Sequence, residues 1–201
     1  MEWKRRPGQM YGPRGVPLPG QNFAEPGDKE PAGGKKGGGA RPEPAVVAQQ
    51  AVRELVLPDP EIRTNPDETY AQLVRVPTWM WLDRVMWKPV SETAKVPGVS
   101  VTATAIPRSA TWRMGDGTTV MCKGAGTAYS VKYAAESESP DCGHTYARSS
   151  AGQPEEAFTI SVTVTWDVEW HGGGEQGTVP GLQTQAQMSL RVAEAQALVV
   201  S

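Results

Sequence analysis

The sequence predicts an all-β fold: an antiparallel β-sandwich preceded by one short helix and a disordered arm. Three observations carry this expectation. Apolar and polar side chains alternate strictly through residues 158–170, and again through 98–105 and 182–192. Of 201 residues, 22 are Gly and 18 are Pro, a composition of turns and strands rather than of a helical bundle. No strand–helix–strand rhythm is present, so a parallel α/β sheet is not expected.

The chain divides by composition. Residues 1–44 hold 8 prolines and 10 glycines, with eight basic against five acidic side chains. That leaves +3 in this stretch and −5 in the remainder, for a net charge of −2. So few apolar residues cannot offset the entropy of ordering, and a disordered arm or tether is expected. The run Gly33-Gly34-Lys35-Lys36-Gly37-Gly38-Gly39 lacks the spacing of a phosphate loop and has no flanking strand and helix, so no nucleotide partner is expected. A net charge near zero argues against a nucleic-acid partner. No apolar run approaches the length of a membrane span.

Residues 45–72 read as a short helix and a linker. Val47, Ala48, Ala51, Val52 and Leu55 form a stripe at three-and-four spacing, closed by Pro58 and Pro60. Turn formers and prolines fill 59–69. The sandwich is expected over 73–201. Leu73-Val74-Arg75-Val76 precedes Pro77, and Trp79 and Trp81 alternate with Met80 and Leu82. Val99, Val101, Ala103 and Ala105 share one face. In the longest run Phe158, Ile160, Val162, Val164, Trp166, Val168 and Trp170 face inward against Thr and Ser. His171-Gly172-Gly173-Gly174 reads as the turn of a long antiparallel hairpin with 182–192.

Residues 110–120 place Trp112 and Met114 on one face, with a reversal at Gly115-Asp116-Gly117. His144-Thr145-Tyr146 follows, and then the long strand from Phe158. This order of Trp-x-Met-Gly-Asp-Gly, His-Thr-Tyr and an aromatic opening an alternating Val/Thr strand resembles the PKD domain over residues 96–170. The resemblance implies an immunoglobulin-like sandwich of extracellular and surface proteins, with Trp112, Gly115, Asp116, Gly117, His144 and Tyr146 as its fold motif. It implies no catalytic residue. A wider stretch, including Pro77-Thr78-Trp79-Met80-Trp81 and Ser139-Pro140-Asp141-Cys142-Gly143-His144, is similar to a group of actinobacterial secreted or envelope proteins of unknown function. Some of that group are labelled ATP/GTP-binding; no residue pattern here supports that label. The sequence departs from the PKD pattern in the long insertion before His144, which contains both cysteines.

Cys122 and Cys142 are the only cysteines, and an even count in an extracellular type of fold points to a disulfide. A loop of about 20 residues closed in this way gains about 3 kcal/mol. The alternative is a pair of reduced, buried thiols. Cys122, Cys142 and His144 lack a fourth ligand and a strong zinc spacing, so no metal or other cofactor is expected. No nucleophile elbow or His-Glu-x-x-His helix is present, and Asp116 is better explained as a turn residue than as half of a glycosidase pair with Asp141. The expected function is therefore non-catalytic: an extracellular or envelope-associated module with a scaffolding or adhesive role. Its partner would be an unidentified protein or a cell-surface glycan. Trp79, Trp81 and Trp87 are the candidate ligand platform of a carbohydrate-binding alternative; a hydrolase is the third. The start Met1-Glu2-Trp3-Lys4-Arg5-Arg6-Pro7 lacks the apolar segment of a signal peptide, so a leader encoded upstream of Met1 is expected.

Overall fold

The computed structural model of the chain describes residues 41–195. Residues 1–40, most of the expected arm, lie outside the described residues, as do 196–201.

Helix α1 spans Pro44–Glu54. Proline suits the first helical position because its missing N–H would have no partner there. The helix ends where Leu55 turns extended, ahead of Pro58. Val47, Ala48 and Ala51 are its buried stripe, as their spacing predicts.

Nine strands follow: β1 (Ile62–Asn65), β2 (Gln72–Leu73), β3 (Pro77–Leu82), β4 (Val90–Val96), β5 (Val99–Arg113), β6 (Thr119–Cys122), β7 (Gly143–Thr145), β8 (Ala157–Gly172) and β9 (Glu175–Ala193). The fold is mostly β and almost wholly antiparallel. One sheet has the order β1-β3-β7; the other runs β2-β9-β8-β5-β4, with β6 also paired to β5. The exception in direction is β2, which lies parallel to β9. Met80 and Leu82 of the small sheet share one buried cluster with Trp112, Ile160, Val164 and Trp166 of the large sheet.

Two expectations change. Residues 62–65, read as linker, form a strand because β3 supplies a full antiparallel partner, from Ile62↔Leu82 to Asn65↔Trp79. His171 belongs to β8, paired with Gln176, and the reversal is confined to Gly173-Gly174. A hairpin also joins β4 to β5 through Pro97-Gly98, extending the 98–105 run backward.

The long strands are related by an exact count of residues. β8 keeps one inside–outside phase from Phe158 to Val168, with every even-numbered side chain buried. Its neighbours do not. β5 buries odd positions from Val99 to Ala105 but even positions at Ala110 and Trp112. The switch falls where Pro107 pairs with Trp166 and Ser109 with Thr165, leaving Arg108 as an extra residue. β9 shifts at the same level: Leu182 pairs with Trp166 and Val179 with Val168. Two residues, Pro180 and Gly181, thus stand against Asp167 alone. Such bulges bend a strand and increase its twist. Pro107 sits where β5 has no neighbour on its other side, between the end of the β4 pairing at Ala105 and the start of the β6 pairing at Ala110. Within sheets proline is confined to such open edges and bulges.

Arg108 has no partner across the ladder, and its exposed side chain donates from Nε to Asp167 Oδ2 at 2.7 Å. This exposed pair is worth at most about 1 kcal/mol. Replacing Arg108 by Ala should therefore shift the urea midpoint slightly. Deleting Arg108 should leave unfolding cooperative, because Pro107 and Ser109 would then stand consecutively against Trp166 and Thr165 and both halves of β5 would keep their inward faces. Loss of the cooperative transition in the deletion variant would show that the bend at the bulge is needed as well as the phase.

Candidate functional site

The residues of the Trp-x-Met-Gly-Asp-Gly and His-Thr-Tyr motifs meet at the end of β5. Trp112 and Met114 are fully buried, and Met114 N–H donates to Thr118 O as the chain reverses. Asp116 closes the turn by accepting from Thr118 N–H at 2.8 Å. That is the local bond that favours Asp at such positions. Gly115 is required by space as well as by its φ of 77°: a Cβ there would stand 2.7 Å from that of Phe158. Gly117, at φ 102°, completes the turn.

His144, in β7, donates from Nε2 to Asp116 Oδ2 at 2.8 Å, and the two side chains are only 11% and 10% exposed. Its ring meets Tyr146 edge-on at 4.6 Å. Tyr146 stacks on Phe158 and donates its hydroxyl to Met114 O at 3.2 Å. Arg148 covers the Phe158 ring at 5.3 Å. Burial opposes the charge on Asp116, but the hydrogen bonds from Thr118 and His144 outweigh it and hold the carboxyl below its usual range. Burial, helped by the Asp116 charge, pushes the Tyr146 phenol well above the usual phenol range. The histidine, the carboxylate and the phenol are thus bonded to one another and to the turn. Trp112 Nε1 is buried with no acceptor among the described residues, and no physical reason for that is evident.

Cys122, at the end of β6, is bonded to Cys142, just before β7, with Cα atoms 5.6 Å apart. Both are buried. The loop they close runs along the β7 edge of β3 and covers Trp79 on its outer face. Leu82 N–H donates to Ala125 O, and Met80 N–H to Cys142 O. Gly126 passes so close to β3 that a Cβ would come within 2.5 Å of Met80 O. Asp141 ties the loop across itself, accepting from the N–H and the hydroxyl of Thr127, both at 2.9 Å. It is engaged there rather than paired with Asp116 as a second acid.

Trp79 lies beneath this loop. It is fully buried, donates Nε1 to Ser137 O at 2.6 Å, and meets Tyr129 and Tyr133 at ring distances of 5.3 and 4.7 Å. It cannot present a face to a ligand. Trp81 is half-buried. Trp87, also half-buried, lines a small apolar pocket with Pro58, Pro60, Leu82 and Trp166. The alternation in β3 was legible, but the cover over its outer face was not. No ring pair joins two of these three indoles among the described residues. Cys122, Cys142 and His144 form no metal-ligating group with a fourth ligand among the described residues.

Comparison with family models, with curated proteins and with solved structures finds no match. The disulfide fits a non-reducing compartment. No helix among the described residues is long and apolar enough to cross a membrane.

Two measurements probe this region. The depressed Asp116 value gives stability that is present above the unfolded value of 3.8 and is lost as pH falls through the lower folded value. Asp116→Asn should therefore be less stable at neutral pH and show a shallower fall in melting temperature on acidification; an unchanged acid limb would remove Asp116 from that role. Replacing Cys122 and Cys142 together by Ser should cost about 3 kcal/mol. The same variant should red-shift the tryptophan emission and admit protease between 123 and 141. Unchanged proteolysis would mean that Asp141 and Trp79 hold the loop without the bond.

Proposed function

We propose that this chain is a non-catalytic, immunoglobulin-like module of the PKD type, acting outside the cell or at its envelope in a scaffolding or adhesive role. The observation that carries the reading is where the reactive side chains are spent. His144, Asp116 and Tyr146 are bonded to each other, and Asp141 is bonded to its own loop. A nucleophilic or acid–base mechanism would need such groups turned toward a substrate.

The strand arrangement supports the fold half of the proposal. The support is a small sheet of the first, third and seventh strands and a large one in which the fifth, eighth and ninth are neighbours, the kind of grouping an immunoglobulin-like sandwich would need. Burial of Trp112 on the fifth strand supports reading it as the core tryptophan of such a sandwich. The disulfide departs from the usual bridge between central strands, joining the end of β6 to the residue before β7 at a sequence separation of 20. That bond supports the placement outside the cytoplasm. Burial of Trp79 removes one of the three indoles of the tryptophan platform and weakens the support for a glycan site there.

The full chain purified from its native host should carry no titratable thiol and should turn over none of a panel of chromogenic esters, peptides and glycosides. Turnover abolished by His144→Ala would overturn the non-catalytic reading, and two free thiols would overturn the placement.

A further inference from the structure

A groove that no sequence motif marks lies where β9 ends and β8 begins. Its floor is the outward face of Ala157, Ser189 and Arg191; one wall is the loop from Glu68 to Ala71, and the other carries Glu155. Its volume is about 320 Å³, at the lower end for small-ligand sites. Tyr70 stands at the tip of the first loop, 67% exposed. Neither Tyr70 nor Arg191 has a side-chain hydrogen bond or ion pair among the described residues.

Both walls are anchored with unusual care. Thr64, Gln72, Thr78 and Ser150 are the buried polar side chains among the described residues. All four serve these two loops. Gln72 Nε2 and Thr64 Oγ1 both donate to Pro66 O, at 2.8 and 2.7 Å, and Thr78 Oγ1 donates to Gln72 Oε1. Asp67 then caps the tip by accepting from Thr69 N–H. On the other side Ser150 donates its hydroxyl to Glu156 O and accepts from Val192 N–H at 2.9 Å. This holds Glu155 and Glu156 at φ values of 56° and 53°, in the left-handed region that glutamate avoids. Buried polar networks fix geometry when every member is satisfied. Here they fix two loops that place an exposed aromatic ring opposite a carboxylate. Binding sites are commonly built on loops held by a rigid scaffold in this way.

The geometry points to a saccharide-binding groove, selective for neutral sugars, with Tyr70 as the stacking ring. It rests on the adhesive, non-catalytic reading above and gives that role a ligand. A pyranose offers a face of C–H bonds to the ring and an equator of hydroxyls, each both donor and acceptor. Vicinal hydroxyls match the two oxygens of Glu68 or Glu155 and the planar fork of Arg191. A single ring among polar groups suits a sugar better than an apolar peptide side chain. Two carboxylates against one guanidinium disfavour an acidic sugar.

The test is an amide-resolved NMR titration of the full chain with neutral tri- and tetrasaccharides of glucose, N-acetylglucosamine, mannose and galactose. At least one should shift the signals of Tyr70, Glu155 and Arg191 together. Tyr70→Ala should weaken that binding about tenfold or more, with the melting temperature unchanged. Tyr70→Phe, which keeps the ring, should bind within about threefold of the parent, a loss below that of an anchor residue. Binding that shifts other residues, or that survives Tyr70→Ala, overturns the groove and leaves an adhesive role at another surface. No binding to any of these sugars also overturns the groove, leaving the adhesive reading with a protein partner. Cleavage of a titrated saccharide overturns the non-catalytic reading instead.

Discussion

The fold depends on one constraint: β8 keeps a single phase, so each change of phase in β5 and β9 is taken up by a bulge against it. Its sixteen residues run from Ala157 to Gly172 without an irregularity of their own. The extra residues in β5 and β9 both fall opposite the Trp166–Val168 segment, and together they bend the sheet along one line. On one side of that line the inner face is lined by Ala94, Val101, Ala103 and Ala105, small enough for α1 to lie close with Val47, Ala48 and Ala51. On the other it is lined by Trp112, Phe158, Ile160 and Val162, beside the small sheet and its Met80 and Leu82. A straight sheet of this length would present one face to two covers of different depth. The bend lets each half meet its own.

The phase rule also separates chemistry at the start of β8. Phe158 points inward, into the stack with Tyr146 and under Arg148, while Ala157 points outward to the groove floor. One residue of displacement therefore divides a polar cluster that is internally satisfied from one that is not. The His144–Asp116 pair is spent on holding the β5–β6 turn against β7. Tyr70 and Arg191 are held out to solvent by neighbours that are themselves buried. The contrast lies in what surrounds each group rather than in residue type, since each cluster contains at least one carboxylate, a basic side chain and a tyrosine.

How much of this was legible in the sequence follows from how local each signal is. The β8–β9 hairpin was legible because alternation over many residues admits one period, and the Asp-Gly turn because Asp116 bonds only to its own neighbours. The disulfide was legible from two cysteines flanking an insertion with little core of its own. β1, β2 and β7 were not: strands of four, two and three residues show at most two turns of the pleat, and their pairing is set by distant partners. The phase change in β5 was visible as odd buried positions before Pro107 and even ones after it, but only its partner reveals a bulge rather than two strands. Alternation separated Trp79 from Met80 and Leu82 in β3; that its face is covered depends on a loop whose path no periodicity encodes. Gln72 and Ser150 carried no signal, because a lone Gln or Ser among turn formers reads as surface.

The disulfide loop and the two anchored loops solve the same problem by different means. Each is a segment with too few apolar residues to order itself by burial. Between Cys122 and Cys142 the solution is covalent closure, with Trp79 inserted beneath and Asp141 tying the strands of the loop together. At 66–72 and 150–156 no covalent tie exists, and the ordering comes from single buried side chains that reach backbone groups on both flanks. Closure by a bond constrains the ends of a loop and leaves its middle to pack where it can; the exposed Val131, at 95%, sits in such a middle. A buried hydrogen-bond network instead fixes the loop near its tip, because each donor must meet its acceptor to avoid an unsatisfied group in the core. The second device is the one suited to presenting a side chain in a defined position, and it is the one found beside Tyr70.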